Sequence, residues 1–214
     1  MLLAVAITGV LSCKNNDNVF PTKNPDSGFR IVNASPNTIN YFLNGTRLNN
    51  SGGLASGVAT SYINVTAGQQ NFQFKLDGSP DILFGWPEKM PDSVGYTLYI
   101  TGNTADKAFR VQDVFAVDTG FAALGFVNAS AAGDIDVAVG DTMRFKKASF
   151  KAQTEFKGIS TGERDVKFYK AGTTTLLKDT TFTMSLNRVY TIYSYGTPGA
   201  KGSSQFGVAI TTNL

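Results

Sequence analysis

The sequence predicts two tandem all-β sandwich domains, and three observations carry that prediction. The stretch FRIVNAS at Phe29–Ser35 returns as LGFVNAS at Leu124–Ser130, so one strand opening is written twice. Apolar residues recur with a period of two: in NFQFKL, Phe72, Phe74 and Leu76 share one face while Gln73 and Lys75 share the other. Glycine turn signals punctuate both copies, at Asn44-Gly45, Ala67-Gly68 and Asp77-Gly78, then at Thr161-Gly162 and Ala171-Gly172. No segment beyond the first residues sustains a helical stripe.

The elements follow in chain order. Leu2–Leu11, LLAVAITGVL, is an apolar run about half the roughly 20 residues of a membrane-spanning helix, the length of a secretion-signal core. VLSC at Val10–Cys13 overlaps the end of that run and resembles the lipobox of bacterial lipoproteins, whose cysteine is acylated and becomes the new N-terminus. The expected division is therefore a signal peptide at 1–12, with lipidation at Cys13. Residues 13–28, with Pro21 and Pro25 and no apolar period, read as a tether able to reach about 50 Å when extended. Lys14 and Asp17 resemble a diluted surface-export signal, so the expected location is the outer membrane, lipid-anchored, on its periplasmic or cell-surface face.

Residues 29–119 and 120–214 are the two repeats. INYFLNG from Ile39 aligns with IDVAVGD from Ile135, YINVTAGQQNFQF from Tyr62 with FKGISTGERDVKF from Phe156, and GYTLYITG from Gly95 with VYTIYSYG from Val189. A match kept in step that far marks a duplication. Each copy holds about seven short strands, the number expected of an immunoglobulin-like β-sandwich. The short junction VDTGFAALG brings the two domains into contact.

The repeats resemble a bacterial family, domain of unknown function 4397, whose members open with a string like Val-His-Ala-Ser-Pro-Asp. IVNASPNTINYFLNG carries the resemblance in the first copy and FVNASAAGDIDVAVG in the second, with Asn33 and Asn128 where the family has His. The resemblance implies tandem sandwiches on secreted or lipid-anchored proteins and supplies no activity.

Composition narrows the chemistry. There is no histidine and Cys13 is the only cysteine, which removes His/Cys zinc sites, Ser-His-Asp triads, Cys-His nucleophiles and internal disulfides. A carboxylate-based glycan hydrolase is the enzymatic reading left, but Glu88, Glu155 and Glu163 fall near strand ends of different copies. Asp134 and Asp136 share a strand face near Asp141 and could seat calcium. Thr38 and Asn40 replace them in the first copy, so a solvated face is expected, with no metal and no cofactor. MRFKKASFKAQTEFK at Met143–Lys157 interleaves cations and rings; lysines guarding an edge strand explain it without nucleic acid.

ILFGWPEKMP at Ile82–Pro91 is the most divergent segment. Phe84 aligns with Lys178, and Trp86, the single tryptophan, aligns with Thr180. Pro87 and Pro91 point to an edge or loop, where the rings pack on the second domain, close the local core, or stack on a sugar or partner. The functional expectation is a non-catalytic cell-envelope lipoprotein. It would be a structural or adhesion-type binding module, held to the membrane by its lipid, with a glycan or envelope-protein partner. Its alternative is a glycan-binding surface protein using Phe84 and Trp86.

Overall fold

The computed structural model describes residues 26–115 and 120–213. The signal peptide, Cys13, most of the tether and part of the 119/120 junction lie outside the described residues. The described chain is a run of sixteen strands with two short 3-10 turns, at Ala105–Lys107 and Gly202–Ser204.

The first domain holds β1 (Asp26–Asn33), β2 (Ile39–Leu43), β3 (Thr46–Arg47), β4 (Ile63–Thr66), β5 (Gly68–Leu76), β6 (Ile82–Met90), β7 (Gly95–Ile100) and β8 (Ala108–Gln112). The second holds β9 (Ala122–Asn128), β10 (Ile135–Val139), β11 (Thr142–Ala148), β12 (Lys157–Ile159), β13 (Gly162–Lys170), β14 (Leu176–Met184), β15 (Val189–Tyr195) and β16 (Gly207–Thr212). Each domain therefore has eight strands rather than about seven. The extra one in the first copy, β3, is only two residues of ribbon across the Asn44-Gly45 turn. Both turn residues have positive φ, 49° and 82°, as a two-residue hairpin turn with the primed twist requires.

Sheet order is the same in the two domains. One sheet runs β4-β1-β7-β8 and its counterpart β12-β9-β15-β16; the other runs β3-β2-β5-β6 and its counterpart β11-β10-β13-β14. In each domain the opening and closing strands lie side by side in parallel, β1 with β7 and β9 with β15. The predicted face of β5 is observed: Phe72 and Phe74 are fully buried, and Phe72 stacks on Phe29 of the facing sheet at 4.3 Å. Phe126 and Phe168 meet across the second domain at 5.7 Å with their rings tilted by 49°.

The sheets containing β1 and β9 are buried on both faces. Every residue of β7 and β9 is buried, and so is β15 up to Ser194. Even-numbered β7 side chains and odd-numbered β1 side chains fill the first domain's own core, while Val32, Tyr99, Phe109 and Val111 turn outward. There they meet Val127, Ala129 and Tyr193 from the second domain in one shared apolar cluster. Tyr99 and Tyr193 pack edge to face at 5.9 Å, and the Tyr193 hydroxyl donates to the Gly57 carbonyl at 2.9 Å. Gly57 lies so close against the Tyr195 ring that a Cβ there would overlap it. The described residues thus form a stack of four sheets with a shared apolar cluster at the seam, a contact that restrains relative domain motion.

Polar groups line one side of the seam. Arg30, 3% exposed, lies over the Tyr62 ring at 4.0 Å and donates to Asn213 Oδ1 at 3.0 Å and to the Thr212 carbonyl. Asp113 is buried beside it and accepts from Thr97 Oγ1 at 2.8 Å. Burial pushes its carboxyl up from the ordinary value, against the lowering effect of Thr97, Tyr62 and Arg30.

Candidate functional site

The repeated Asn-Ala-Ser stretch builds one turn twice. Asn33 is fully buried, donates through Nδ2 to the carbonyls of Asn37 and Leu54 at 2.7 Å each, and accepts at Oδ1 from Ser35 N and Ser35 Oγ at 3.1 and 2.7 Å. Asn128 repeats the pattern with Gly133 and Ala148 as acceptors, at 2.7 and 2.9 Å, and Ser130 as donor. A carboxamide offers two donors and a two-lone-pair acceptor, so each side chain is fully used inside the protein. Both turns therefore leave β1 and β9 on a fixed path.

Those turns form the walls of a cleft of about 380 Å³ between the domains. Pro36, Thr101 and Lys107 face it from the first domain, and Ala131, Phe150 and Ser204 from the second. Ala34 and Ala129, both buried, give it an apolar floor. Phe150 is 43% exposed and meets Phe109 edge to face at 6.2 Å. Lys151 Nζ crosses the seam to the Asp106 carbonyl at 2.7 Å, which ties the rim together. A small-volume cleft at a domain boundary, apolar below and polar at the rim, has the build of a ligand site. Ser130 is the hydroxyl closest in type to a nucleophile, but it donates to the Asn128 carboxamide oxygen at 2.9 Å. A carboxamide takes no proton at neutral pH, so that hydroxyl is not activated.

The aromatic pair Phe84 and Trp86, for which packing on the second domain, closing the local core and stacking on a sugar or partner were the alternatives, lies on β6. β6 is an edge strand, as the prolines predicted. Beyond the irregular pairing at Ile82 its even-numbered positions turn toward the core, so Phe84 is 8% exposed and packs on Phe74 at 4.8 Å. Phe84 is a core ring and offers no face to a ligand. Trp86 is half-buried against the same core, and its Nε1 donates to Glu88 Oε2 at 3.2 Å. Glu88 in turn pairs with Arg110 at 2.7 Å. Cys13 lies outside the described residues.

The other sequence candidates resolve structurally. Asp136 does not lie on a solvated face: it is buried, and its carboxylate accepts Lys147 N at 2.7 Å and Gly172 N at 2.9 Å, fixing two turns. No cluster of metal-ligating side chains occurs among the described residues. β11 is an edge strand bearing exposed Lys146 and Lys147, while Phe145 enters the core and the Phe156 ring lies close against Gly125. Contact between the domains was expected from the short junction, but the cleft and the residues that form the seam were not; the seam's one local signal is Arg30, a cation set inside an apolar strand.

Comparison with known proteins is consistent with the repeat. No curated protein matches the chain. Among solved structures, family 41 carbohydrate-binding modules from streptococcal virulence factors, described for alpha-glucan recognition, are similar over 81% of this chain and 94% of theirs. The identity is 9% and the TM-score 0.27, so a likeness that distant leaves function to this chain's own residues. The model of a domain of unknown function, DUF4397, matches residues 27–138 and again 122–212. Matched twice along nearly all of its described length, this chain belongs to the DUF4397 family.

Proposed function

We propose that this chain is a non-catalytic envelope lipoprotein, anchored in the outer membrane through Cys13, that binds its partner in the cleft between its two domains. The observation that carries the reading is the placement of the cleft. β1 begins at Asp26, so the last three residues expected of the tether are already paired strand, and it runs to Asn33, with Ala34 and Pro36 of the cleft just beyond. The seven residue steps of the strand separate its two ends by about 23 Å, so an anchored chain would hold the cleft on the side away from the lipid. The shared core at the seam keeps both walls in register, which lowers the ordering cost of binding. The partner is a glycan or an envelope protein, and no nucleic acid is involved.

Two measurements test this reading. Fatty-acid labelling of the expressed full chain should disappear in Cys13→Ala; persistent labelling removes the anchor. Glycan and peptide arrays probed with the full chain should give at least one signal that Ala131→Trp, which fills the cleft, abolishes. If no signal depends on that variant the cleft is not the site, and saturable turnover of a glycan lost on mutating one carboxylate makes the protein an enzyme.

A further inference from the structure

The outer faces of the two domains differ at one pair of matched positions. In the first domain Phe42 on β2 is partly exposed, Lys75 on β5 places its ammonium 5.2 Å from the ring centre, and the same ammonium donates to the Pro80 carbonyl at 2.6 Å. That ring is capped by its own lysine. Ala138 holds the place of Phe42 in the second domain: it pairs with Lys167 as Phe42 pairs with Gln73. Tyr169 holds the place of Lys75, pairing with Asp136 as Lys75 pairs with Asn40.

Removing the ring from β10 and placing one on β13 opens a trough of about 530 Å³ along the sheet. Ala138 is its floor, with half-buried Tyr169 and 38%-exposed Met143 beside it. Lys167, Asp141 and Thr174 surround it with an ammonium, a carboxylate and a hydroxyl. Among the described residues neither Lys167 nor Asp141 forms an ion pair. The walls are held by Asp136, whose two oxygens fix the backbone at Lys147 and Gly172.

We propose that this trough binds a neutral glycan chain, with one sugar ring flat against Tyr169 and its hydroxyls shared among Lys167, Asp141 and Thr174. A pyranose presents an apolar C–H face and a rim of hydroxyls that both donate and accept, which matches an uncapped ring beside groups of both signs. A polyanion would meet the Asp141 carboxylate. The trough extends along the strands between the turn at Asp141 and the turn at Thr174, which suits an elongated ligand. The site is separate from the cleft and goes beyond the reading given above.

Isothermal titration of the full chain in mild detergent with maltohexaose, cellohexaose, chitohexaose and mannohexaose tests the proposal. At least one hexasaccharide should bind saturably. Ala138→Phe, which copies the first domain, should weaken it tenfold or more, as should Tyr169→Ala, while Phe42→Ala changes nothing. If Ala138→Phe fails to fold, Tyr169→Ala and Lys167→Gln decide. Binding by none of the four sugars, binding of the polyanion hyaluronan alone, or full affinity in a folded Ala138→Phe overturns the trough. Loss of sugar binding in Ala131→Trp but not in Tyr169→Ala also overturns it, and places the sugar in the cleft instead.

Discussion

Arg30 and Gly125 occupy the same position in the two domains, one residue into the repeated strand, and their side chains meet different surroundings. Arg30 crosses the seam to Asn213 and Thr212 and rests on Tyr62. Gly125 leaves a space that the Phe156 ring occupies, with no room for a Cβ. Duplication copied the backbone and the two sites then diverged: Tyr62, the ring on which Arg30 rests, aligns with Phe156, the ring that fills the space at Gly125, so the same pair of positions reaches across the seam in one domain and closes locally in the other.

The strand edges differ in the same manner. Phe84 and Trp86 pair with Phe74 and Phe72, as Lys178 and Thr180 pair with Phe168 and Val166, so the alignment read from sequence holds in space. The first domain closes its edge with rings. The second places a charge on an edge strand, a device that discourages pairing with another chain.

The largest expected effect is at the seam. Tyr193→Ala removes the ring packed on Tyr99 and the bond to Gly57, and should cost about 4 kcal/mol in denaturant unfolding, the range for a buried aromatic truncation. It should also split one unfolding transition into two; a single unshifted transition would mean the seam does not couple the domains.

Next come the paired asparagines. Asn128→Ala should cost about 3 kcal/mol, since it strands buried carbonyls and hydroxyls. Asn33→Ala should cost ~1 kcal/mol less, because Ser194 Oγ gives Asn128 a further bond at 3.0 Å. Equal losses by urea titration would show that Ser194 contributes nothing.

Trp86→Ala should cost about 2 kcal/mol, less than a fully buried ring, given that Trp86 is half-buried. A loss near zero would return it to the surface.

The smallest effect is a pH dependence. Asp113 has a folded-state value raised above its ordinary 3.8, chiefly by burial. Its protonated form is therefore favoured by folding, so its contribution is fully present below pH 3.8 and is lost as pH rises through the raised folded value. Melting temperature measured across that window should slope downward in the native chain relative to Asp113→Asn. Parallel curves would place Asp113 in a wetter setting.

How much of this was legible in the sequence depends on which sheet is considered. The outer sheets alternate, as β5 and β13 do, and Phe72, Phe74 and Phe168 fall on the buried side that their period assigns. Repetition of Asn-Ala-Ser, the glycine turns and the matched tyrosines at Tyr96 and Tyr190 determined that two all-β copies would form, because these are local demands on backbone and side-chain direction. The inner sheets do not alternate. GYTLYI and AALGFVN are buried throughout, and nothing local says which of their faces meets the neighbouring strand layer and which meets another domain. Only the tertiary structure decided that Tyr99 and Tyr193 meet, that Arg30 reaches Asn213, and that a cleft opens between Pro36 and Ala131. Each of these contacts joins residues from different domains, and an apolar side chain is satisfied by any dry surface, so its sequence records that it is buried but not by what.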